Sequence, residues 1–142
     1  GKTSEELQKT LDGYVNPEKR RRMTENVLVG VDSNFFKPAI ARIVKMLDEM
    51  EADLHRYPWI AGDAYSLADI ALTPYVTRVV HLKQDWLFDT RPGVEAWFKK
   101  ICARPNYEIA MRQWFIDDFI TLMASKGKEN EAGVKRVIQE AL

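Results

Sequence analysis

Few side chains in this sequence have the chemistry to act on a substrate. There is one cysteine, Cys102, and there are two histidines, His55 and His81. A thiol attacks as its thiolate, which requires a cationic or polar setting. Cys102 follows Ile101 in a tryptophan-bearing amphipathic stretch, and there it reads as a small buried hydrophobe. His55 and His81 are far apart, and no Cys, Asp or Glu flanks either at a metal-ligand spacing. Each stands near an expected helix end, where a cation suits the dipole. The acidic residues Asp48, Glu49, Glu51 and Asp53 are expected to spread around the exposed side of one helix. Acid–base catalysis needs two carboxyls in one cleft with their pKa values driven apart, and this spacing does not imply that. There is no Gly-rich phosphate loop and no Gly-x-Ser-x-Gly elbow. The expectation is a chain with no catalytic residue and no metal site.

Charge narrows the partners. Lys plus Arg and Asp plus Glu both total 21, so the net charge is zero and no global field draws in nucleic acid or anionic lipid. The one basic run, Lys19-Arg20-Arg21-Arg22, lies beside Glu18 and Glu25 and has no interleaved aromatics, so it reads as a solvated helix turn. Apolar residues make up 46% of the 142, enough to bury a core in a single domain over residues 1–142. A lone cysteine excludes an internal disulfide and fits a reducing compartment. No apolar run approaches the ~20 residues of a membrane span. The N-terminal Gly1-Lys2-Thr3-Ser4 has no signal-peptide layout, which points to the cytoplasm. The abrupt start in a polar helical stretch suggests a shortened chain.

The elements that must position these residues are helices, since no sustained period-2 run of β-branched residues occurs. Ser4 to Leu11 is helix-compatible, with Ser4 as a cap and Asp12-Gly13 as a stop. Asn16-Pro17 opens a helix carrying Met23, Val27 and Leu28 on one side and ending near Gly30. Asp32 or Ser33 caps the next. Its residues Phe36, Ile40, Ile43, Leu47, Met50 and Leu54 form one stripe, which faces the chain's own core rather than a coiled-coil seam because it lasts under three heptads. Tyr57-Pro58 breaks it. Ser66-Leu67-Ala68-Asp69 is a capping box, with Tyr65 and Ile70 as its hydrophobic staple. Pro74 inside that helix is expected to kink it. Arg91-Pro92 opens a helix with Val94, Trp97, Phe98 and Ile101, and Pro105 opens another with Ile109, Met111, Trp114 and Phe115. Lys126-Gly127 reads as a stop before a last helix with Val134, Val137, Ile138 and Leu142. The fold class is all-α, a bundle of six to seven helices.

The stretch from Trp59-Ile60-Ala61-Gly62 through Ser66-Leu67-Ala68-Asp69-Ile70 resembles the signature of the glutathione transferase C-terminal domain. Thr73-Pro74-Tyr75-Val76, Arg91-Pro92-Gly93-Val94 and Ala103-Arg104-Pro105-Asn106-Tyr107 resemble bacterial members in the same order. The resemblance covers Pro17 to the C-terminus. It implies a central buried helix opened by the structural pair Ser66 and Asp69. It also implies an upstream thioredoxin-like domain, absent here, that supplies the catalytic residue and most of the glutathione site. No catalytic residue carries over, and this chain has no cofactor of its own. Glutathione is the co-substrate of the intact enzyme.

In such an enzyme the C-terminal helices wall the pocket for a hydrophobic electrophile. In the resemblance Trp114, Phe115 and Phe119 belong to that wall, with the Tyr75 hydroxyl able to face the same cleft; the alternative is that all four are core or crevice packing. The leading function is this substrate-selecting half, with a share of a homodimer contact. The alternative is a non-catalytic protein-interaction module of the same fold. The isolated chain is expected not to conjugate glutathione to an aryl halide.

Overall fold

The computed structural model describes residues 4–141. They form seven α-helices: α1 (Ser4–Asp12), α2 (Pro17–Val29), α3 (Phe36–Leu54), α4 (Leu67–His81), α5 (Pro92–Cys102), α6 (Pro105–Ala110) and α7 (Asp117–Ala141). Among the described residues there is no strand, only an isolated bridge between Trp59 and Gly62. The architecture is the all-α bundle. The Ser4 side chain and Leu142, expected as a cap and as part of the last helical face, lie outside the described residues.

The chain divides into two compact units, one built from the residues up to Arg42 and those from Ala132 onward, the other from Ile43–Glu131. In the first unit, Asn16 caps α2 by accepting from the Lys19 amide at 3.0 Å. Ser33, not Asp32, starts α3: its hydroxyl accepts from the Phe36 amide at 3.1 Å. Asp32 instead pairs with Arg136. α2 buries none of its residues, so Val27 and Leu28 are exposed rather than turned inward. Its charges make local contacts: Arg20 donates twice to the Tyr14 carbonyl, Lys19 lies over the Tyr14 ring and Arg21 over Phe35.

The second unit carries most of the core. From α3 come Val44, Leu47 and Met50, and Leu47 has no exposed surface at all. Burial of such a side chain contributes about 2 kcal/mol. Of the α3 stripe, Leu47 and Met50 are buried, while Phe36, Ile40, Ile43 and Leu54 are partly exposed. Glu51 departs from expectation: it is buried, because its carboxylate caps α5 by accepting from the amides of Gly93 at 3.0 Å and Val94 at 2.9 Å. A Cβ at Gly93 would sit 2.9 Å from that carboxylate, so the glycine makes room for the cap. Arg91, next door, bonds Asp48 at 2.6 Å and the Leu87 carbonyl at 2.6 Å. Two of the four clustered acids thus join α3 to the start of α5.

Two helical boundaries also differ. α6 ends at Ala110, leaving Trp114 in a 3-10 turn (Arg112–Trp114) and Phe115 in extended backbone. α7 runs through Gly127 without a break. That glycine is not a stop but a crossing point: a Cβ there would lie 1.7 Å from the Leu82 carbonyl oxygen.

Candidate functional site at the C-terminal end of the central helix

α4 presents two chemically different ends. At its N-terminus the capping box is complete, with reciprocal bonds between Ser66 and Asp69. The Ser66 hydroxyl accepts from the Ala68 amide at 3.2 Å. The fully buried Asp69 carboxylate accepts four bonds: from the amides of Ile60 (3.1 Å) and Ser66 (2.9 Å), the Ser66 hydroxyl (3.0 Å) and Trp97 Nε1 (2.8 Å). Burial pushes its pKa up, but the Trp97 bond, then Ile60 and Ser66, outweigh it and hold the carboxyl below the usual carboxylate range. With every lone pair spoken for, Asp69 holds the loop, α4 and α5 together and has no position free for a substrate.

The other end opens into a cavity of about 250 Å³. α4 contributes Thr77, Arg78 and His81, and the irregular passage from α6 into α7 contributes Trp114, Phe115 and Phe119. The turn at Arg112–Trp114 and the extended Phe115 bring Trp114 and Phe115 to the same wall as Phe119. The Asp117 and Asp118 carboxylates then favour the start of α7. His81 meets the Phe115 ring edge-on at 4.6 Å. Arg78 lies over the Phe119 ring at 5.9 Å and donates to the Met123 sulfur.

Of the residues singled out from the sequence, the fold brings together Trp114, Phe115 and Phe119 but leaves Tyr75 off this cavity, 56% exposed on another side of α4. Trp114 is 72% and Phe119 51% exposed, so neither is core packing. His81 is not the cationic helix end that its position suggested. Burial lowers its pKa, helped by the positive charges of Arg78 and Lys83, which disfavours the imidazolium at this position. His81 and Arg78 are wall residues the sequence reading passed over. Their signal was the spacing of Pro74, Thr77, Arg78 and His81, which share a helical face.

The backbone at this end is fixed. Lys83 takes a left-handed φ of 54°, closing α4 with the Gln84 amide on the Val79 carbonyl at 3.0 Å. The Gln84 side chain donates to the carbonyls of Gly127 (2.9 Å) and Leu82 (3.0 Å). Cys102 is half-buried, and burial raises its thiol pKa despite bonds to Tyr107 and Arg112, which leaves it a poor nucleophile. Among the described residues no three His, Cys, Asp or Glu side chains gather as a metal set. Among the described residues no helix is long and apolar enough to cross a membrane. The geometry is that of a binding wall: apolar rings, one guanidinium, one imidazole and the Thr77 hydroxyl, with no thiol or carboxylate among its lining residues.

Comparison with known proteins gives the family of the chain, over a stretch that includes α4 but stops short of Trp114, Phe115 and Phe119. Residues 6–105 match the family described as glutathione S-transferase, C-terminal domain. The chain belongs to that family. Among similar proteins, the tetrachloro-p-hydroquinone reductive dehalogenase of Sphingobium chlorophenolicum is 33% identical over 95 residues, 66% of this chain and 38% of that protein. Glutathione S-transferase F13 of Arabidopsis thaliana is 36% identical over 63 residues, 44% of this chain and 29% of the relative. A glutathione S-transferase of Hyoscyamus muticus is 36% identical over 70 residues, 49% and 33% of the two chains. The chain thus spans about a third of the length of these relatives. No solved structure matches. As a glutathione transferase C-terminal domain, it owes its Ser66–Asp69 pair to the architecture and keeps its exposed rings at the far end of the same helix.

Proposed function

We propose that this chain is the helical half of a glutathione transferase, and that the cavity at the end of α4 holds the electrophile beside a glutathione thiolate. Glutathione, the co-substrate, binds mainly to a thioredoxin-like domain outside these 142 residues. That domain supplies the residue that activates the thiol, while residues 1–142 act as one helical domain contributing to a two-fold dimer in the cytoplasm. The observation that carries the reading is the wall itself: Trp114 and Phe119 stand exposed around a cavity lined by no carboxylate. An apolar electrophile gains from such rings by burial and stacking. The Sphingobium relative is named for a chlorinated hydroquinone. A halogenated ring suits Phe115, Met123 and Trp114 here, and Arg78 favours negative charge developing on it. Tyr75 reaches the electrophile only from outside this wall.

The test is saturable quenching of Trp114 fluorescence in the full chain by chlorodinitrobenzene. Trp114→Phe removes the response, Trp86→Phe keeps it, and Phe119→Ala weakens binding about tenfold, the worth of one aromatic contact. Quenching that never saturates, or that survives Trp114→Phe, sinks the assignment. Added glutathione gives no turnover above the buffer rate, since the activating residue lies elsewhere. The intact mass of the product of the native gene is expected well above 16.4 kDa.

A further inference from the structure

A second cavity, of about 320 Å³, lies on the Tyr65 side of α4 and meets the first only at Pro74 and Met111. Its walls are mostly apolar, from Ile70 and Pro74 on α4, Ile101 on α5 and Met111 beyond α6. Its polar groups differ in how they are used. The Thr73 hydroxyl is committed to the Asp69 carbonyl at 2.7 Å, and the Tyr107 hydroxyl bonds the Thr77 hydroxyl at 3.2 Å. Arg104 is uncommitted. Its guanidinium stacks on the Tyr65 ring at 3.7 Å and lies 5.6 Å from the Trp59 ring, which fixes its plane. Its Nε is buried with no hydrogen-bond partner. No acidic side chain lines the cavity. The open cleft of about 570 Å³ near Lys83 is unlike this, because Lys83 and Lys128 face Asp85, Asp89 and Glu95 there.

An apolar cavity holding one fixed, unneutralised guanidinium has a defined complement. The stacked face is taken by Tyr65 and Nε is enclosed, so the terminal Nη groups are what remain for an acceptor, and that end of the fork matches a carboxylate. One positive charge calls for one negative charge. The apolar walls call for a compact hydrocarbon or aromatic body on the acid. We propose that this cavity is a binding site for a small monocarboxylic acid with an apolar body, its carboxylate on Arg104 and Asn106 and its body between Ile70, Ile101 and Met111. The site does not depend on the electrophile reading, because only Pro74 and Met111 belong to both cavities.

The experiment is an NMR titration of the full 142-residue chain with phenylacetate and, separately, with phenethyl alcohol. The acid is expected to shift the signals of Ile70, Ile101 and Ala110 and to bind about tenfold more tightly than the alcohol, the worth of a charge-assisted bond. Arg104→Gln removes that preference, while Ala110→Phe, which fills the cavity from its exposed rim, removes binding of both. Equal binding of acid and alcohol to the unaltered chain overturns the proposal, and needs no variant to fold. So do shifts centred on Ile120 and Met123, which would place the acid in the other cavity, and so does an absence of shifts at millimolar acid. Salt gives a further check: binding that does not weaken as ionic strength rises would remove the guanidinium from the account.

Discussion

The two ends of α4 belong to one helix and solve opposite problems. At the N-terminal end a carboxylate with no exposed surface accepts four hydrogen bonds and ties the Trp59–Tyr65 loop to α5 through Trp97. At the C-terminal end His81 has a ring contact instead of a polar partner, and Trp114 and Phe119 lie largely in the open. The Asp69 carboxylate at the first end is fully paired, whereas the rings of Trp114 and Phe119 at the second are left uncovered. Satisfied polar groups fix a fold, whereas uncovered apolar ones are available to something else. Both ends are held rigidly, the first by side chains and the second by the backbone contact of Leu82 with Gly127. The helix is therefore a fixed strut with a carboxylate hub at one end and uncovered aromatic rings at the other.

The largest break in this contrast is Asp69→Ala. It strands Trp97 Nε1 and the Ile60 and Ser66 amides in a dry interior, at a cost of about 4 kcal/mol. Urea denaturation of the variant should show that loss, whereas Phe119→Ala, half-exposed, should stay within about 0.5 kcal/mol of the parent. The pH dependence carries the same sign. Because the folded Asp69 carboxyl titrates below its unfolded value of about 4, its contribution is complete above that value and disappears as pH falls through the lower folded one. Asp69→Asn should flatten that acid limb of the stability curve. An unchanged acid limb in Asp69→Asn would show that the carboxylate is not the hub.

Next in size is Gly127→Ala, which tests whether the aromatic end is held by backbone. The added methyl meets the Leu82 carbonyl at a distance no packing allows, so α4 and α7 must move apart. A loss of about 3 kcal/mol is expected in thermal or chemical melts. Gly93→Ala is a softer comparison, because the group it meets is the end of the Glu51 side chain. Were Gly127→Ala neutral, the close approach of Leu82 would not be what fixes that end.

These residues also mark where the sequence was readable. The Ser66–Asp69 box was legible because capping is local: both partners lie within one turn and bond the intervening backbone. The α3 stripe was legible because burial leaves a period. Glu51 was not, because its role is to cap a helix more than forty positions away, as its bond of 2.9 Å to the Val94 amide shows. Gly127 gave the wrong signal, since a glycine late in a helix looks like a terminus and only the partner strand of backbone distinguishes a crossing. The three aromatics could be named without being placed. What assembles them is a short 3-10 turn after α6, and its sequence Arg112-Gln113-Trp114 carries no Gly or Pro to announce it. Tyr75 sits one residue after Pro74 on α4 yet faces away, a matter of helical phase that the motif alone does not give.

The smallest effect is also the one that sharpens the aromatic end most. His81 should titrate below its ordinary value of about 6.5, read from its imidazole signals by NMR across the acid range. Burial is the leading cause, with the charges of Arg78 and Lys83 behind it. Phe115→Ala, which opens the ring contact to water, should therefore raise the midpoint more than Arg78→Gln does. The sign for stability follows. Below about pH 6.5 the unfolded chain takes up the proton before the folded one, so folding stability falls as pH drops and recovers on the way back up. A midpoint at or above the ordinary value would put His81 in water or beside an acid. The wall would then present a cation, and an electron-poor aromatic ring would meet a different surface from the one described here.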